Sequence, residues 1–378
     1  MEIVVVGASL AGLRTIQALR RLGVDAAITV VDRQPEIACD RPPLSKTFLA
    51  DPAALPRPVA TPDELGAELL LGQVATDVDL ADRSVGLGPR RLHYDTLVIA
   101  SGSAPRTFPG LEPGPGVHVL RTAAHAAQIR AGLLPGARVV IVGGGFIGAE
   151  IAWTARSLGC DVAIVEPLPA LMMRGLGPEL GAVFSRRHAA NGVLLRLGTG
   201  VASVESSRVR LTSGDELAAD IVVLGLGTTP EVSWLDGSGL TIRDGVVCDA
   251  QLRAAPDVYA VGDIARWLNP RYGELVRVEH WTNAVEQASV AAANIAGTPT
   301  VYDAVPYVWS DQLGGRLQIF GRVRAEDELR FVFGSPDEPK FVAVTHRGGV
   351  LQSAVGFSAI RELLPYRKQL IEGGVLAA

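Results

Sequence analysis

The same unit occurs twice in this chain, and that duplication constrains the fold more than any other feature. Residues 3–32 read IVVVGASLAGLRTIQALRRLGVDAAITVVD, and residues 139–166 read VVIVGGGFIGAEIAWTARSLGCDVAIVE. Each copy opens with a β-branched run too uniformly apolar for a strand with one wet face, so each predicts a buried parallel strand. A Gly-rich turn follows, then a helix with an apolar face, an LGxD step and a second strand ending in an acid. Each copy is therefore a βαβ unit. Gly7 and Gly12 correspond to Gly143 and Gly148, Asp32 corresponds to Glu166, and Ser9 stands where the second copy has Gly145.

Such a turn has a specific chemistry. Its first Gly permits a tight bend, the small middle residue lets backbone approach a pyrophosphate, and the last Gly lets helix and strand pack closely. Free N–H groups at the helix N-terminus then face the phosphates. The acid ending the second strand accepts hydrogen bonds from ribose hydroxyls and repels a 2′-phosphate. Two such turns, each in its strand–helix–strand context, predict two dinucleotide sites. The segment Gly7-Ala8-Ser9-Leu10-Ala11 also resembles a degenerate nucleophile elbow, but an elbow needs earlier strands for its oxyanion loop, and this turn follows the first strand.

At 378 residues the chain fits two or three domains, and a body of that size buries roughly 75% of its extended surface without staples. Charged residues at 20% and apolar ones at 48% exclude a disordered or fibrous chain. No run approaches the ~20 apolar residues of a membrane span, so a cytoplasmic protein is expected. A net charge of −5 argues against bulk nucleic-acid binding. Three scattered cysteines (Cys39, Cys160 and Cys248) give neither a disulfide framework nor a cluster ligand set, and the six histidines show no zinc spacing, so no metal site is expected. Of the 35 basic residues only Lys46, Lys340 and Lys368 are lysines.

Other elements can be placed coarsely. Thr61-Pro62-Asp63-Glu64 carries a helix-start signature, with a cap, Pro at the first position and Glu three residues after the cap. Short strands are expected over 69–93 and 193–225, an apolar strand over 95–100, and helices over 178–190, 281–297 and 358–372. Pro/Gly-rich stretches at 105–116 and 227–230 read as crossings between domains, so that the second βαβ unit is inserted into the first domain. The resulting division is 1–112 with 236–303, then 113–235, then 304–378.

Several segments carry a more specific resemblance. They are Asp40-Arg41-Pro42-Pro43-Leu44-Ser45-Lys46, Tyr94-Asp95-Thr96-Leu97-Val98-Ile99-Ala100-Ser101-Gly102 and the Gly143–Glu150 turn. Val258-Tyr259-Ala260-Val261-Gly262-Asp263, Glu279-His280-Trp281 and Pro306-Tyr307-Val308-Trp309-Ser310-Asp311-Gln312 complete the set. Together they span nearly the whole chain, which resembles the FAD-dependent NADH:ferredoxin reductases of oxygenase electron-transfer systems. The resemblance implies an α/β, glutathione-reductase-like fold: two Rossmann-type domains, for FAD and NADH, and a C-terminal α+β interface domain.

It also implies roles. Gly7, Ser9, Ala11 and Gly12 would cradle the FAD pyrophosphate, with Asp32 on the adenosine ribose and Asp263 on the ribitol chain. Arg41, Val74, Ala100, Ser101, Gly102, Arg121 and Trp281 fall at further FAD-contact positions. Lys46 would lie beside the isoalloxazine, where a cation stabilises negative charge on the reduced ring. Gly143, Gly145, Phe146, Ile147, Gly148 and Gly227 would hold NADH, with Glu166 selecting it over NADPH, Arg174 near that ribose end and Glu150 near the nicotinamide. Lys46, Glu150 and Trp281 are the candidate catalytic residues. Ser101 replaces a usual Thr, and Glu231 replaces the Asn of a GxxPN motif.

The activity implied is hydride transfer from NADH to FAD, then two single-electron transfers to a [2Fe–2S] ferredoxin that feeds a cytochrome P450 or Rieske-type oxygenase. On an acidic reductase, docking an acidic ferredoxin needs a local basic patch, for which Arg266, Arg271 and Arg277 are candidates. Two alternatives stay open. A flavin NADH peroxidase or oxidase would cycle Cys39 through a sulfenic acid, given a lowered thiol pKa. A signalling flavoprotein of the same fold would turn over slowly.

Overall fold

Four valines and isoleucines in a row make the opening strand, Glu2–Val6, buried at every residue after the first. The strand runs inside a six-stranded sheet, and its alternate residues are buried alike because both faces of the sheet are covered. Its order is Arg253–Ala255, Val258–Ala260, Thr96–Ile99, Glu2–Val6, Ala27–Asp32 and Glu68–Leu71. Val6 pairs in parallel with Val31 on one side and Ile99 on the other. The crossover helix Leu10–Arg21 packs on the helix Trp281–Ile295. The computed structural model of the chain describes residues 1–107, 113–205 and 207–373.

The second copy repeats this arrangement. Leu194–Leu197, Asp161–Glu166, Arg138–Val142, Ile221–Leu224 and Val117–Val119 form a five-stranded parallel sheet in that order. The first sheet thus draws strands from both 2–99 and 253–260, while the second lies wholly within 117–224. Ser103–Pro105 and Thr228–Pro230 pair antiparallel where the chain leaves one sheet and returns. The boundary drawn at residue 112 lies outside the described residues.

Beyond residue 306 the chain forms a five-stranded antiparallel sheet, ordered Tyr307–Gln312, Gly315–Gly321, Val350–Phe357, Phe341–Arg347 and Glu328–Phe333. The helix Ile360–Gly373 covers one face. The opposite face packs on the second domain through Phe184, whose ring lies 5.5 Å from that of Phe357 and 6.3 Å from that of Phe341. Arg187, one helical step further, lies over both of the same rings. This apolar seam also takes in Leu44, Phe48 and Leu49 from the first domain. All three domains are therefore joined by continuous packing.

Local chemistry explains where elements begin and break. Thr61 and Glu64 form the anticipated capping box, with the Thr61 N–H donating to Glu64 Oε2 at 2.9 Å. The helix expected from residue 178 begins earlier, as Met173–Ala190, and breaks at Gly177 (φ +73°). A residue before proline is pushed out of the α region, and Gly177 takes the left-handed alternative ahead of Pro178. The helix Ala123–Gly132 was not anticipated; the Thr122 hydroxyl caps it by accepting from His125 N–H at 3.2 Å. Among the described residues no helix is long and apolar enough to cross a membrane.

His188, on the second-domain helix, is fully buried and donates from Nε2 to Gln312 Oε1 of the third domain at 2.8 Å. Burial pushes its pKa below the ordinary 6.5, the Gln312 contact opposing only in part. The unfolded chain therefore takes up a proton below about pH 6.5 that the folded chain refuses, and stability falls as pH falls. We expect the denaturation midpoint to drop between about pH 7 and pH 5, and the drop to shrink in His188→Gln. Equal pH slopes for the two proteins would contradict this.

Candidate active site

The two Gly-rich turns share their backbone construction. Gly7 N–H donates to Val31 O, and Gly143 N–H to Val165 O, both at 2.8 Å. Both glycines lie in the left-handed region, at φ +123° and +111°. A Cβ would stand 2.2 Å from Ala100 O at Gly7 and 2.2 Å from Gly225 O at Gly143. At Gly12 and Gly148 a Cβ would strike the carbonyl oxygens of Gly7 and Gly143, which is why helix and strand can approach there. Gly145 differs, because a Cβ would meet nothing within 4 Å. That glycine is required by no protein neighbour, and its bareness leaves room for a ligand.

The acids close the same pattern. Asp32 accepts from Ala8 N–H at 2.6 Å and Gln34 N–H at 2.7 Å. Glu166 accepts from Gly144 N–H at 2.7 Å and Leu168 N–H at 3.0 Å. Each carboxylate is thereby fixed at its strand end with lone pairs to spare for ribose hydroxyls. Ser9 and Gly145 begin the helices Leu10–Arg21 and Phe146–Ser157 without a side-chain cap, so first-turn N–H groups stay free for an anion.

Both turns open on one cavity of about 760 Å³, lined from all three domains. Its wall contains Ser9, Ala11, Asp32, Arg41, Lys46, Ala100, Ser101, Gly102, Arg121, Asp263 and Trp281. On the other side it contains Gly143, Gly145, Phe146, Ile147, Gly148, Glu150, Glu166, Arg174 and Gly227. Gly7 and Gly12 lie beneath the wall, as their packing role requires. Val74 is the exception: it is 57% exposed and stands outside the cavity.

The charges on the wall fit a dinucleotide. Arg121 reaches Asp263 at 3.3 Å, and Ser103 donates to the same carboxylate oxygen at 2.9 Å. Burial, then the neighbouring Arg121, depress Arg41 to about 10, still a cation at neutral pH. Arg41 has no carboxylate within 4.0 Å among the described residues. Two cations facing one cavity with a single carboxylate between them are suited to an anion such as a pyrophosphate. Trp281 donates from Nε1 to Asp40 Oδ1 at 2.8 Å and meets Trp309 edge-on at 6.0 Å.

At the centre Lys46 Nζ lies 2.7 Å from Glu150 Oε2. Ser45 Oγ donates to the same oxygen at 2.5 Å, and Ser310 Oγ to Oε1 at 2.6 Å. Glu150 is only 4% exposed, so this carboxylate draws donors from the first and third domains into the second. The sequence reading named Lys46 and Glu150 but not Ser45 and Ser310, although both lie inside segments it had singled out. It missed Thr154, which donates to Ser45 O at 3.0 Å, because no local pattern marks a contact across 109 residues.

One expectation needs correction. Arg271 and Arg277 are not surface cations. Arg271 is held by Asp303 and by the carbonyls of Leu370 and Ile371, and Arg277 by Glu279, Asp244 and Asp263 O. Their side chains are 10% and 11% exposed, so of the three only Arg266, at 31%, keeps appreciable exposure, and it is bonded to Arg243 O. Cys39 lines the cavity, but burial pushes its thiol pKa up and Arg41 only partly opposes this. A reactive thiol needs the opposite shift.

Both departures from the family pattern meet each other. Ser101 Oγ donates to Glu231 O at 3.0 Å, and the Glu231 carboxylate forms a forked pair with Arg33, the neighbour of Asp32. This half-exposed pair contributes under about 1 kcal/mol.

The sequence profile of the pyridine nucleotide-disulphide oxidoreductase family matches residues 1–288. Rhodocoxin reductase of Rhodococcus erythropolis is 35% identical over 384 residues, covering 98% of this chain and 89% of that protein. The anthranilate 1,2-dioxygenase system ferredoxin–NAD(+) reductase component of Burkholderia cepacia is 34% identical over 384 residues, covering 98% of this chain and 94% of that protein. Among solved structures, the covalent putidaredoxin reductase–putidaredoxin complex is similar at a TM-score of 0.93 and 30% identity, covering 98% of this chain and 92% of that one.

The two glycines of the second turn should separate stability from binding. Gly143→Ala meets a carbonyl and a left-handed φ, and should cost at least about 2 kcal/mol. Gly145→Ala should stay within about 0.5 kcal/mol of the wild type yet raise the KM for NADH at least about tenfold. Thermal melts beside NADH titrations check both; a Gly145→Ala protein with normal NADH affinity would contradict the assignment.

Proposed function

The chain belongs to the pyridine nucleotide-disulphide oxidoreductase family, and we propose that within it the protein is an FAD-dependent NADH:ferredoxin oxidoreductase. The observation that carries this reading is the pair of dinucleotide turns opening on one cavity, with the Lys46–Glu150 pair between them. Its relatives include ferredoxin–NAD(+) reductase components, and a structurally similar reductase is joined to its putidaredoxin, which supports a ferredoxin-type protein as electron acceptor. We further assign FAD as the flavin and a [2Fe–2S] protein as the acceptor, serving an oxygenase. FAD fits better than a mononucleotide because Asp32, at the strand end beside the first turn, is placed for an adenosine ribose that a mononucleotide lacks.

When bound, a flavin would supply the chemistry that joins a two-electron hydride donor to a one-electron acceptor. The chain's part is to hold the partners and fix the charges. The first turn, Arg41 and Asp263 would hold and orient the flavin nucleotide, and the second turn and Glu166 would hold the nicotinamide nucleotide. Lys46 holds a positive charge at the cavity centre, kept in place by Glu150 and by the Pro42 carbonyl at 3.0 Å. Trp281 and Trp309 cover the side of the cavity nearest the third domain and limit water there.

The cysteines weigh against a thiol intermediate. Cys160 and Cys248 are buried, and Cys39 is the one cysteine among the described residues that lines the cavity. With its thiol held protonated, Cys39 is unsuited to peroxide chemistry.

NADH-driven cytochrome c reduction, with and without a [2Fe–2S] ferredoxin, tests the reading. We expect strong ferredoxin stimulation, equal within about twofold in wild type and Cys39→Ser. Absence of stimulation, with peroxide-dependent NADH oxidation lost in Cys39→Ser, would establish the peroxidase instead.

A further inference from the structure

The Glu150 carboxylate is the inner end of a hydrogen-bond chain that leads away from the cavity. From Oε1 it passes to Ser310 Oγ at 2.6 Å, to Gln312 Nε2 at 2.9 Å, and from Gln312 Oε1 to His188 Nε2 at 2.8 Å. Ser310, Gln312 and His188 are each 1% exposed or less, and none lines the cavity. Among the described residues, the protons of this chain find acceptors only within it or at Met172 Sδ.

That closure fixes the direction of every bond. Gln312 Nε2 also faces Met172 Sδ at 3.4 Å, and a thioether can only accept, so the amide nitrogen belongs on that side. The Gln312 carbonyl is thereby turned to His188, whose Nε2 must carry a proton to meet it. His188 Nδ1 has no partner among the described residues, so a proton placed there would be stranded. Because Ser310 Oγ accepts from Gln312, its own proton is free to go to Glu150. Reversing the amide would draw that proton toward Gln312 and leave Ser310 and Glu150 oxygens facing each other at 2.6 Å without a donor.

We propose that His188, from outside the cavity, is a positioning residue for the reaction. Its Nε2–H sets the direction of the Gln312–Ser310 relay, keeping Glu150 an acceptor-only carboxylate that holds the Lys46 ammonium at the cavity centre. On the oxidoreductase reading, on which the functional part of this inference rests, the relay controls the charge presented to the flavin. It acts on hydride transfer more than on NADH binding, because the pyrophosphate and ribose contacts of the second turn lie elsewhere on the wall.

The test is anaerobic rapid mixing of the flavin-loaded protein with NADH, for wild type, Gln312→Glu, His188→Leu and His188→Gln. Gln312→Glu keeps the shape and an acceptor for His188 and, when ionised, cannot donate to Ser310. His188→Gln can restore an N–H where His188→Leu cannot. We expect Gln312→Glu and His188→Leu to slow flavin reduction at saturating NADH about tenfold, with the NADH dissociation constant within about twofold and His188→Gln recovering most of the rate. Wild-type rates in Gln312→Glu, or an equal loss in both His188 variants, would overturn the proposal. NMR of isotope-labelled histidine is independent of turnover: it should find the His188 proton on Nε2 with Nδ1 bare, and a proton on Nδ1 would overturn the relay. Failure of NADH to reduce the wild-type flavin would refute the oxidoreductase reading, while the NMR result would still decide the relay.

Discussion

A buried carboxylate must find donors, and in this protein Glu150, on the second domain, finds them in the other two. Lys46 and Ser45 come from the first, Ser310 from the third, and Glu150 itself rides on a helix of the second. Removing one partner of a buried ion pair costs about 3–5 kcal/mol, because the remaining charge is left uncompensated. The domains are thus held in the one arrangement that satisfies this carboxylate. The apolar seam around Phe184 supplies adhesion, and the polar cluster supplies register. The third domain therefore completes the site as well as capping it.

Duplication explains how one chain makes two sites that face each other. Each copy locks its strand-end acid to the backbone of its own Gly-rich turn, so each arrives at the cavity already shaped. The copies differ at several positions of the turn and strand end. Ser9 stands opposite Gly145, and Asp32 opposite the longer Glu166, while the glycines that contact backbone are kept in both. Residues with a steric duty remain, and residues facing open space vary.

How much could be read beforehand follows the range of the interaction. The Thr61–Glu64 capping box and the two βαβ units depend on residues close in sequence, and both were legible. The break at Gly177 needs only the residue before Pro178, although it went unassigned. The Arg271 and Arg277 side chains misled because exposure is a tertiary property: their partners include Leu370 and Asp244, which no local pattern connects to them. The His188–Gln312 contact spans 124 residues and leaves no periodic trace. The segment containing Ser310 and Gln312 stood out as a motif, but its purpose emerged only with Glu150 beside it.

The account rests on a flavin that takes electrons from NADH and hands them on without a protein thiol between. Anaerobic titration of the flavin-loaded protein with NADH, counting free thiols before and after, tests this most directly. The account predicts that one equivalent of NADH bleaches the flavin and leaves the thiol count unchanged. A requirement for a second equivalent, with new thiols appearing, would contradict it.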